Sequence, residues 1–444
     1  MLDHILLSII ALLIFFGHIP QHKKNCKAAA RALKRLNQVS VRIITTGIFY
    51  LLKPFPKRKN LIVFGADAGN GFAGNSKYLF LEALKHPEIQ AVWITKNRDT
   101  LNVLREKGYE AYMAKSRKGF WMQLRAATAI MTHSIKDDFW FLCMAGAVSV
   151  NLWHGVGLKC SWFRNKNSYG GRVIRWTNGL RKNLAMIFVK TNMTAKKYVV
   201  STSENVSAYY PDTYNVPVSN IFNLGQTRND VLFDDSLEEG FLPDYFKNQK
   251  VITYMPTHRN YGKNKGKAES SIGNNIDYQR LSEMLQRFGY IFIVKHHRFL
   301  TGRAEQRDKF PNVIDITQEN YNLDSQMILK YTDILITDYS SCYTDYLLLD
   351  RPVIFFCYDL EEYLQKWDLN FEYDTVTPGP KVFDFDQLME ELEKILQGQD
   401  DYRDERQRVK RIFYSPENQQ PVAAKQMEFI LNNIIFKNRL DRRR

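Results

Sequence analysis

The sequence is poor in cysteine, nearly free of acidic residues over its first sixty positions, and without an apolar run long enough to cross a bilayer. Its five cysteines, Cys26, Cys143, Cys160, Cys342 and Cys357, are scattered and form no C-x-x-C pair. An odd, unpatterned set argues against a disulfide framework or a cysteine zinc site, and for a reducing compartment. Residues 1–60 hold one acid, Asp3, against eleven Lys and Arg, and the tail adds Lys437, Arg439, Arg442, Arg443 and Arg444. With a net charge of +15 over 444 residues, the chain calls for an anionic partner: a membrane, a nucleic acid or a phosphorylated substrate. Ile5–Phe16 is apolar apart from Ser8, but falls short of the roughly 20 residues that span a bilayer. Basic residues follow that run rather than precede it, which is the wrong order for a signal peptide.

What is present divides into five parts. Residues 1–56, with a second apolar stretch at Ile43–Leu52 between basic clusters, read as an arm lying in the interface of an anionic cytoplasmic leaflet. That makes the protein a peripheral one on the cytoplasmic face of the membrane. After Pro54-Phe55-Pro56, residues 57–236 alternate strand and helix patterns: Leu61–Phe64, a helix Ser76–Lys85, Ala91–Thr95, a helix near Thr100–Lys107, then Ala129–Thr132 and Ala147–Leu152. Residues 237–250 carry three acids, Pro243 and two lysines, the composition of a linker. Residues 251–436 repeat the theme with strands at Val251–Tyr254, Tyr290–Val294, Val313–Asp315, Ile334–Thr337 and Val353–Phe356, and an amphipathic helix at Tyr278–Arg287. Residues 437–444 are a basic tail. Such alternation predicts an α/β protein of two doubly wound, Rossmann-like domains facing a cleft.

In open parallel sheets, ligands sit beyond the carboxyl ends of the strands, so the strand ends are where chemistry is sought. Ile334–Thr337 runs into Asp338-Tyr339-Ser340-Ser341, with Asp345 soon after. There Thr337, Ser340 and Ser341 offer hydroxyls for phosphate oxygens, beside backbone amides at a helix start; an ordinary helix cap is the plain alternative. Trp153-His154-Gly155-Val156-Gly157-Leu158-Lys159 ends another strand. His154 can take a proton from a hydroxyl nucleophile, Gly155 lets a substrate approach the backbone, and Lys159 can hold a phosphate. Pro256-Thr257-His258-Arg259 and Lys295-His296-His297-Arg298 close two neighbouring strands with concentrated positive charge, a self-repulsion that a diphosphate would relieve. The His296–His297 pair lacks nearby carboxylates for a metal site, and no metal ligands or cofactor are assigned. Gly225-Gln226-Thr227-Arg228-Asn229-Asp230 turns into a helix, with Arg228 either facing the cleft or bracing the domain boundary.

Gly69-Asn70-Gly71-Phe72-Ala73-Gly74 matches the dinucleotide-binding pattern in form. The next strand, however, ends in Lys96-Asn97-Arg98 where an acid should hold a ribose. Gly71, Gly74 and the following Asn75 are therefore read as a loop that approaches an acceptor or another phosphorylated ligand.

These clusters, in this order, resemble the CDP-glycerol glycerophosphotransferase family of teichoic acid and capsule synthesis, whose pattern runs W-H-G-T-P-L-K, G-x-P-R-N-D, P-T-W-R, K-x-H-P and I-T-D-Y-S-S with a following D and D-R-P. The similarity covers roughly residues 60–430. It implies a GT-B fold and transfer of a polyol phosphate from CDP-glycerol or CDP-ribitol to a hydroxyl of a lipid-linked acceptor, with release of CMP. It also implies that His154 is the base on that hydroxyl. His297, Arg259, Ser340 and Ser341 would contact the donor phosphate, with Thr257, Lys295, Thr337 and Asp345 in the same donor site. Departures from the pattern stand beside these residues: Val156 and Gly157 for Thr-Pro, Thr227 for Pro, His258 for Trp, and Arg298 for Pro. A basic residue usual near the family's C-terminus is matched by Lys425.

Three rival readings make different demands. A nucleotide-sugar glycosyltransferase of the same fold would prefer a UDP-, GDP- or ADP-linked sugar. An NADP enzyme would use Gly69–Gly74 for pyrophosphate. A membrane- or nucleic-acid-binding protein would need only the basic arm, and the His/Arg/Ser convergence at strand ends speaks against nucleic acid, since polyanion binding needs no such arrangement.

Overall fold

A computed structural model of the chain describes residues 37, 40–176, 178–189, 196–237, 243–257, 276–295, 310–316 and 324–436. Residues 40–52 are helical, and Val41, Ile43, Ile44, Ile48 and Leu51 on that helix are exposed. The other expected apolar stretch, Ile5–Phe16, lies outside the described residues, as does the basic tail. No helix among the described residues is long and apolar enough to cross a membrane.

From residue 52 onward the chain builds two parallel-sheet α/β domains. The first uses β1 (Arg58–Gly65), β2 (Gln90–Thr95), β3 (Ala111–Met113), β4 (Ala126–Met131), β5 (Val148–Asn151), β6 (Lys196–Ser201) and β7 (Ile221–Asn223). The second uses β8 (Lys250–Tyr254), β9 (Tyr290–Val294), β10 (Val313–Asp315), β11 (Ile334–Thr337), β12 (Val353–Phe356) and β13 (Lys381–Val382). The sheet orders are β3-β2-β1-β4-β5-β6-β7 and β10-β9-β8-β11-β12-β13, and every pairing is parallel. Parallel sheets covered on both faces need strands apolar throughout rather than alternating. Leu61-Ile62-Val63-Phe64 and Ile334-Leu335-Ile336 meet that need and are buried at every position. In each sheet the strand order reverses once, between β1 and β4 and between β8 and β11. At such reversals the flanking helices diverge and a crevice opens at the carboxyl ends.

The domains share an apolar core. Val156, Leu158, Val199 and Val206 of the first join Leu335, Tyr343, Phe355 and Phe413 of the second in one buried cluster. The expected linker is partly built: Tyr245–Asn248 forms a helical turn whose Phe246 enters this core, and Lys250 already begins β8. The second domain also does not run unbroken to residue 436. Helix Ala423–Ile430 returns to the first domain, where Met427, Ile430 and Leu431 pack with Leu79, Phe80 and Phe64.

Candidate functional site

His154 stands at the carboxyl end of β5, one strand beyond the reversal of the first sheet. Immediately after β5, Trp153 takes a left-handed conformation with φ 57°, which costs a non-glycine residue about 1–3 kcal/mol unless its surroundings hold it there. They do: its N–H donates to Asn151 Oδ1 at 2.8 Å. Its ring meets Trp162 and Tyr214 edge-on at 5.7 and 5.5 Å. This turn fixes His154, whose ring lies 4.1 Å from that of Trp153 and stacks on His133 at 4.5 Å with planes 15° apart. His154 Nδ1 lies 3.2 Å from the Thr132 carbonyl. An N–H donated there fixes the tautomer and leaves Nε2 as the proton acceptor. The residue is exposed to solvent, with the His133 and Trp153 rings packed against its own. Desolvation there, aided by the charges of His133 and Arg228 and opposed by the Thr132 carbonyl, pushes its basicity below that of an ordinary imidazole. In its neutral form the imidazole can accept a proton at Nε2.

Gly155 lies where the domains meet. Its φ is +138°, and a Cβ built on it would stand 2.7 Å from Arg228 Nη2 and 3.1 Å from Ser341 Oγ. The glycine therefore lets the His154 loop touch the hydroxyl turn of the second domain. Arg228 bridges the seam: Nη1 donates to the His154 carbonyl at 2.5 Å, and Nη2 pairs with Asp345. Its Nε is buried without a hydrogen-bond partner among the described residues.

Structure and expectation diverge over several neighbours. Asp345, expected on the donor, is fully buried. Its oxygens accept from Arg228, Gln326 Nε2 at 2.8 Å, Asn229 Nδ2 at 3.0 Å and the Tyr414 hydroxyl at 2.6 Å. It braces the domain seam. Asn75 is likewise consumed: Nδ2 donates to the Leu152 and Trp153 carbonyls at 3.1 and 3.0 Å, and Oδ1 accepts the Arg228 N–H at 3.0 Å. Thr227, at a family proline position, donates its hydroxyl to the Asn75 carbonyl at 2.6 Å, so this departure serves packing. Lys159 stands over the rings of Trp367 at 3.9 Å and Tyr363 at 5.4 Å, and its backbone bridges to Leu369 across the seam.

The glycine-rich loop is closed rather than open. The Gly69 carbonyl accepts from the Thr95 hydroxyl at 2.9 Å, and Lys96 packs across its α-carbon. Asp67 Oδ2 would lie 3.1 Å from a Cβ on Gly71, placing a carboxylate where a phosphate was expected. Gly74, with φ +62°, starts helix Gly74–Ala83.

In the second domain, Thr337 donates its hydroxyl to the Met255 carbonyl at 2.7 Å and is fully buried. Asp338, also fully buried, accepts from the Thr257 hydroxyl at 2.6 Å and N–H at 2.9 Å, tying the ends of β8 and β11 together. Lys295 Nζ donates to Ser325 Oγ at 2.9 Å; burial lowers its basicity, opposed by Asp324 and Cys342. Ser340 and Ser341 remain half-buried at the turn facing Gly155. Arg259 and His297, with His258, His296 and Arg298, lie outside the described residues.

The structure thus brings His154, Gly155, Arg228 and Ser341 to one seam, which Asp345 holds, while Thr257 and Thr337 tie strand ends together within the second domain. Sequence reasoning passed over His133 and Asp138, although His133 follows β4 just as His154 follows β5. It also passed over Asn229, Gln326 and Tyr414, whose roles depend on a partner distant in sequence.

Comparison with known proteins bears on the family and the fold. Residues 48–430 match the family described as CDP-Glycerol:Poly(glycerophosphate) glycerophosphotransferase. The chain is 29% identical over 380 residues to a teichoic acid poly(ribitol-phosphate) polymerase of Bacillus spizizenii, covering 82% of this chain and 55% of that one. It is 25% identical over 384 residues to a teichoic acid glycerol-phosphate transferase of Staphylococcus aureus, covering 82% and 90%. The chain therefore spans little more than half of the first of these relatives. In fold it is similar to the wall teichoic acid polymerase TagF, solved as a variant soaked with CDPG, with a TM-score of 0.66 and 21% identity over 94% of this chain and 99% of that one. By the match across residues 48–430, the chain belongs to the CDP-glycerol:poly(glycerophosphate) glycerophosphotransferase family.

Proposed function

We propose that this protein transfers a polyol phosphate, glycerol phosphate in the first instance, from a CDP-polyol to a hydroxyl of a membrane-linked acceptor in teichoic acid or capsule-type polymer synthesis. The observation that carries the reading is that the loop bearing His154, with Nε2 left as acceptor, touches the Ser340–Ser341 turn through Gly155 at the domain seam. His154 Nε2 takes the proton of the acceptor hydroxyl as its oxygen bonds to the phosphorus that bears the polyol. The bond from that phosphorus to the bridging oxygen breaks, and CMP leaves with the electron pair. Little covalent work falls to the protein, so positioning and charge stabilisation dominate, and closure of two domains over the diphosphate limits hydrolysis.

The donor belongs to the second domain, at the Ser340–Ser341 turn with Lys295, and the acceptor to the first; the family pattern adds Arg259 and His297 to the donor's contacts. This division is the GT-B arrangement. The helix at residues 40–52, with its exposed Ile43, Ile44 and Leu51 and its basic flanks, is assigned to the surface of an anionic cytoplasmic leaflet. There it keeps the site near a lipid-linked acceptor.

The test is CMP release from CDP-glycerol and CDP-ribitol, each with and without a lipid-linked disaccharide acceptor, beside UDP-, GDP- and ADP-sugars. Acceptor-dependent release from one CDP-polyol supports the reading and identifies the polyol. Turnover of a nucleotide sugar alone refutes it.

A further inference from the structure

The site holds two imidazoles, and only one has a part in the reaction as drawn. His133 follows β4 and His154 follows β5, adjacent parallel strands paired through Met131 and Asn151. Their rings lie face to face with centroids 4.5 Å apart. The two rings have different neighbours on the Nδ1 side. His133 Nδ1 stands 3.1 Å from Thr132 Oγ1 and 3.7 Å from Asp138 Oδ1. His154 Nδ1 meets a carbonyl, and its own carbonyl is held by a guanidinium.

Asp138 is shaped for this neighbour. It is fully buried, and Oδ2 accepts the N–H groups of His133 at 2.8 Å and Thr132 at 3.2 Å. Among the described residues Oδ1 is buried with no hydrogen-bond partner, and His133 Nδ1 stands 3.7 Å from it. A carboxylate oxygen left unpaired in a buried place is costly, and a proton on His133 offsets that cost, whereas a proton on His154 does not. Once His133 is charged, a second charge stacked on it is opposed, because two interacting sites titrate as a pair.

Resting on the reading of His154 as the base, we infer that His133 is a positioning residue: it takes the pair's first proton and so keeps the His154 imidazole neutral, with Nε2 free to accept from the substrate hydroxyl. The other charged groups around the pair are Asp137 and Lys96 beside Asp138, Asp67 beside Thr132, and Arg228 beside His154. Asp138 and Asp137 favour charge on His133, while Arg228 disfavours charge on His154.

Selective ¹³Cε1 labelling of the nine histidines allows both rings to be titrated by NMR in the full-length protein, with assignments from His133→Gln and His154→Asn. In the native protein His133 is expected to titrate at the higher pH. In His133→Gln the His154 midpoint rises by about one pH unit or more, and Asp138→Asn lowers the His133 midpoint. The acidic limb of the kcat/KM profile in His133→Gln moves to higher pH by the same amount, since the base is lost to protonation sooner. His154 titrating above His133 in the native protein overturns the inference, as does an unchanged His154 midpoint in a folded His133→Gln. The native titration needs no variant to fold. Because NMR needs no substrate, the inference and the transferase reading fail by different results.

Discussion

Replacing Asp345 by alanine attacks the bond system that joins the two domains. The carboxylate is wholly buried and accepts four donors, from Arg228, Asn229, Gln326 and Tyr414. Its loss leaves the Arg228 guanidinium, whose side chain is 12% exposed, facing three neutral groups that also lose their acceptor. Removing one partner of a buried ion pair costs about 3–5 kcal/mol, because the other charge stays desolvated. Total stabilities are about 5–15 kcal/mol, so the variant should unfold at visibly lower urea. Urea unfolding followed by tryptophan fluorescence measures the difference. Arg228→Met strands the carboxylate instead, and Arg228→Met with Asp345→Leu strands no charge. The double variant should therefore cost less than the sum of Arg228→Met and Asp345→Leu, by a coupling of about 1–3 kcal/mol. A loss under about 1 kcal/mol in Asp345→Ala, or strict additivity in the cycle, refutes the seam as described.

Other consequences can be checked separately. His154→Ala should lower acceptor-dependent CMP release by about 10²–10⁴-fold, with secondary structure by circular dichroism unchanged. Gly155→Ala, at φ +138° with a Cβ 2.7 Å from Arg228, should cost about 1–3 kcal/mol for backbone strain alone, read by urea unfolding, and lose activity with it. Burial raises the Asp138 carboxyl to about 6 from 3.8. The folded Asp138–His133 pair thus binds a proton that the unfolded Asp138 carboxyl does not take up until well below pH 6. Acidification from pH 7 to 5 should stabilise the native protein relative to Asp138→Asn by about 1 kcal/mol, and equal pH slopes would contradict that.

The long buried strands were legible because parallel strands covered on both faces are uniformly apolar, as at Leu61–Phe64, Tyr290–Val294 and Val353–Phe356. The unforeseen strands β3, β7 and β13 have only three, three and two residues, too few to show a pattern. β6 opens with Lys196-Lys197, and Lys197 is buried with its amine donating to the Tyr214 carbonyl at 2.7 Å, a partner no local pattern announces. Within the site, the motif order singled out the His154-Gly155 loop and the Ser341 turn, which touch at Gly155. It could not show whether a polar side chain faces ligand or protein. Thr337, Asn75 and Asp345 carry the same groups in either role, and only the fold supplies the Met255, Trp153 and Arg228 atoms that occupy them.

The central claim is most directly tested on the acceptor itself. A synthetic lipid-linked disaccharide is incubated with the protein and CDP-glycerol or CDP-ribitol, and its mass is measured before and after, with His154→Ala in parallel. The account predicts that the native protein adds polyol-phosphate units to the acceptor with CMP as the other product, and that the folded variant adds almost none. An unchanged acceptor with either donor, or transfer by His154→Ala at the native rate, would contradict it.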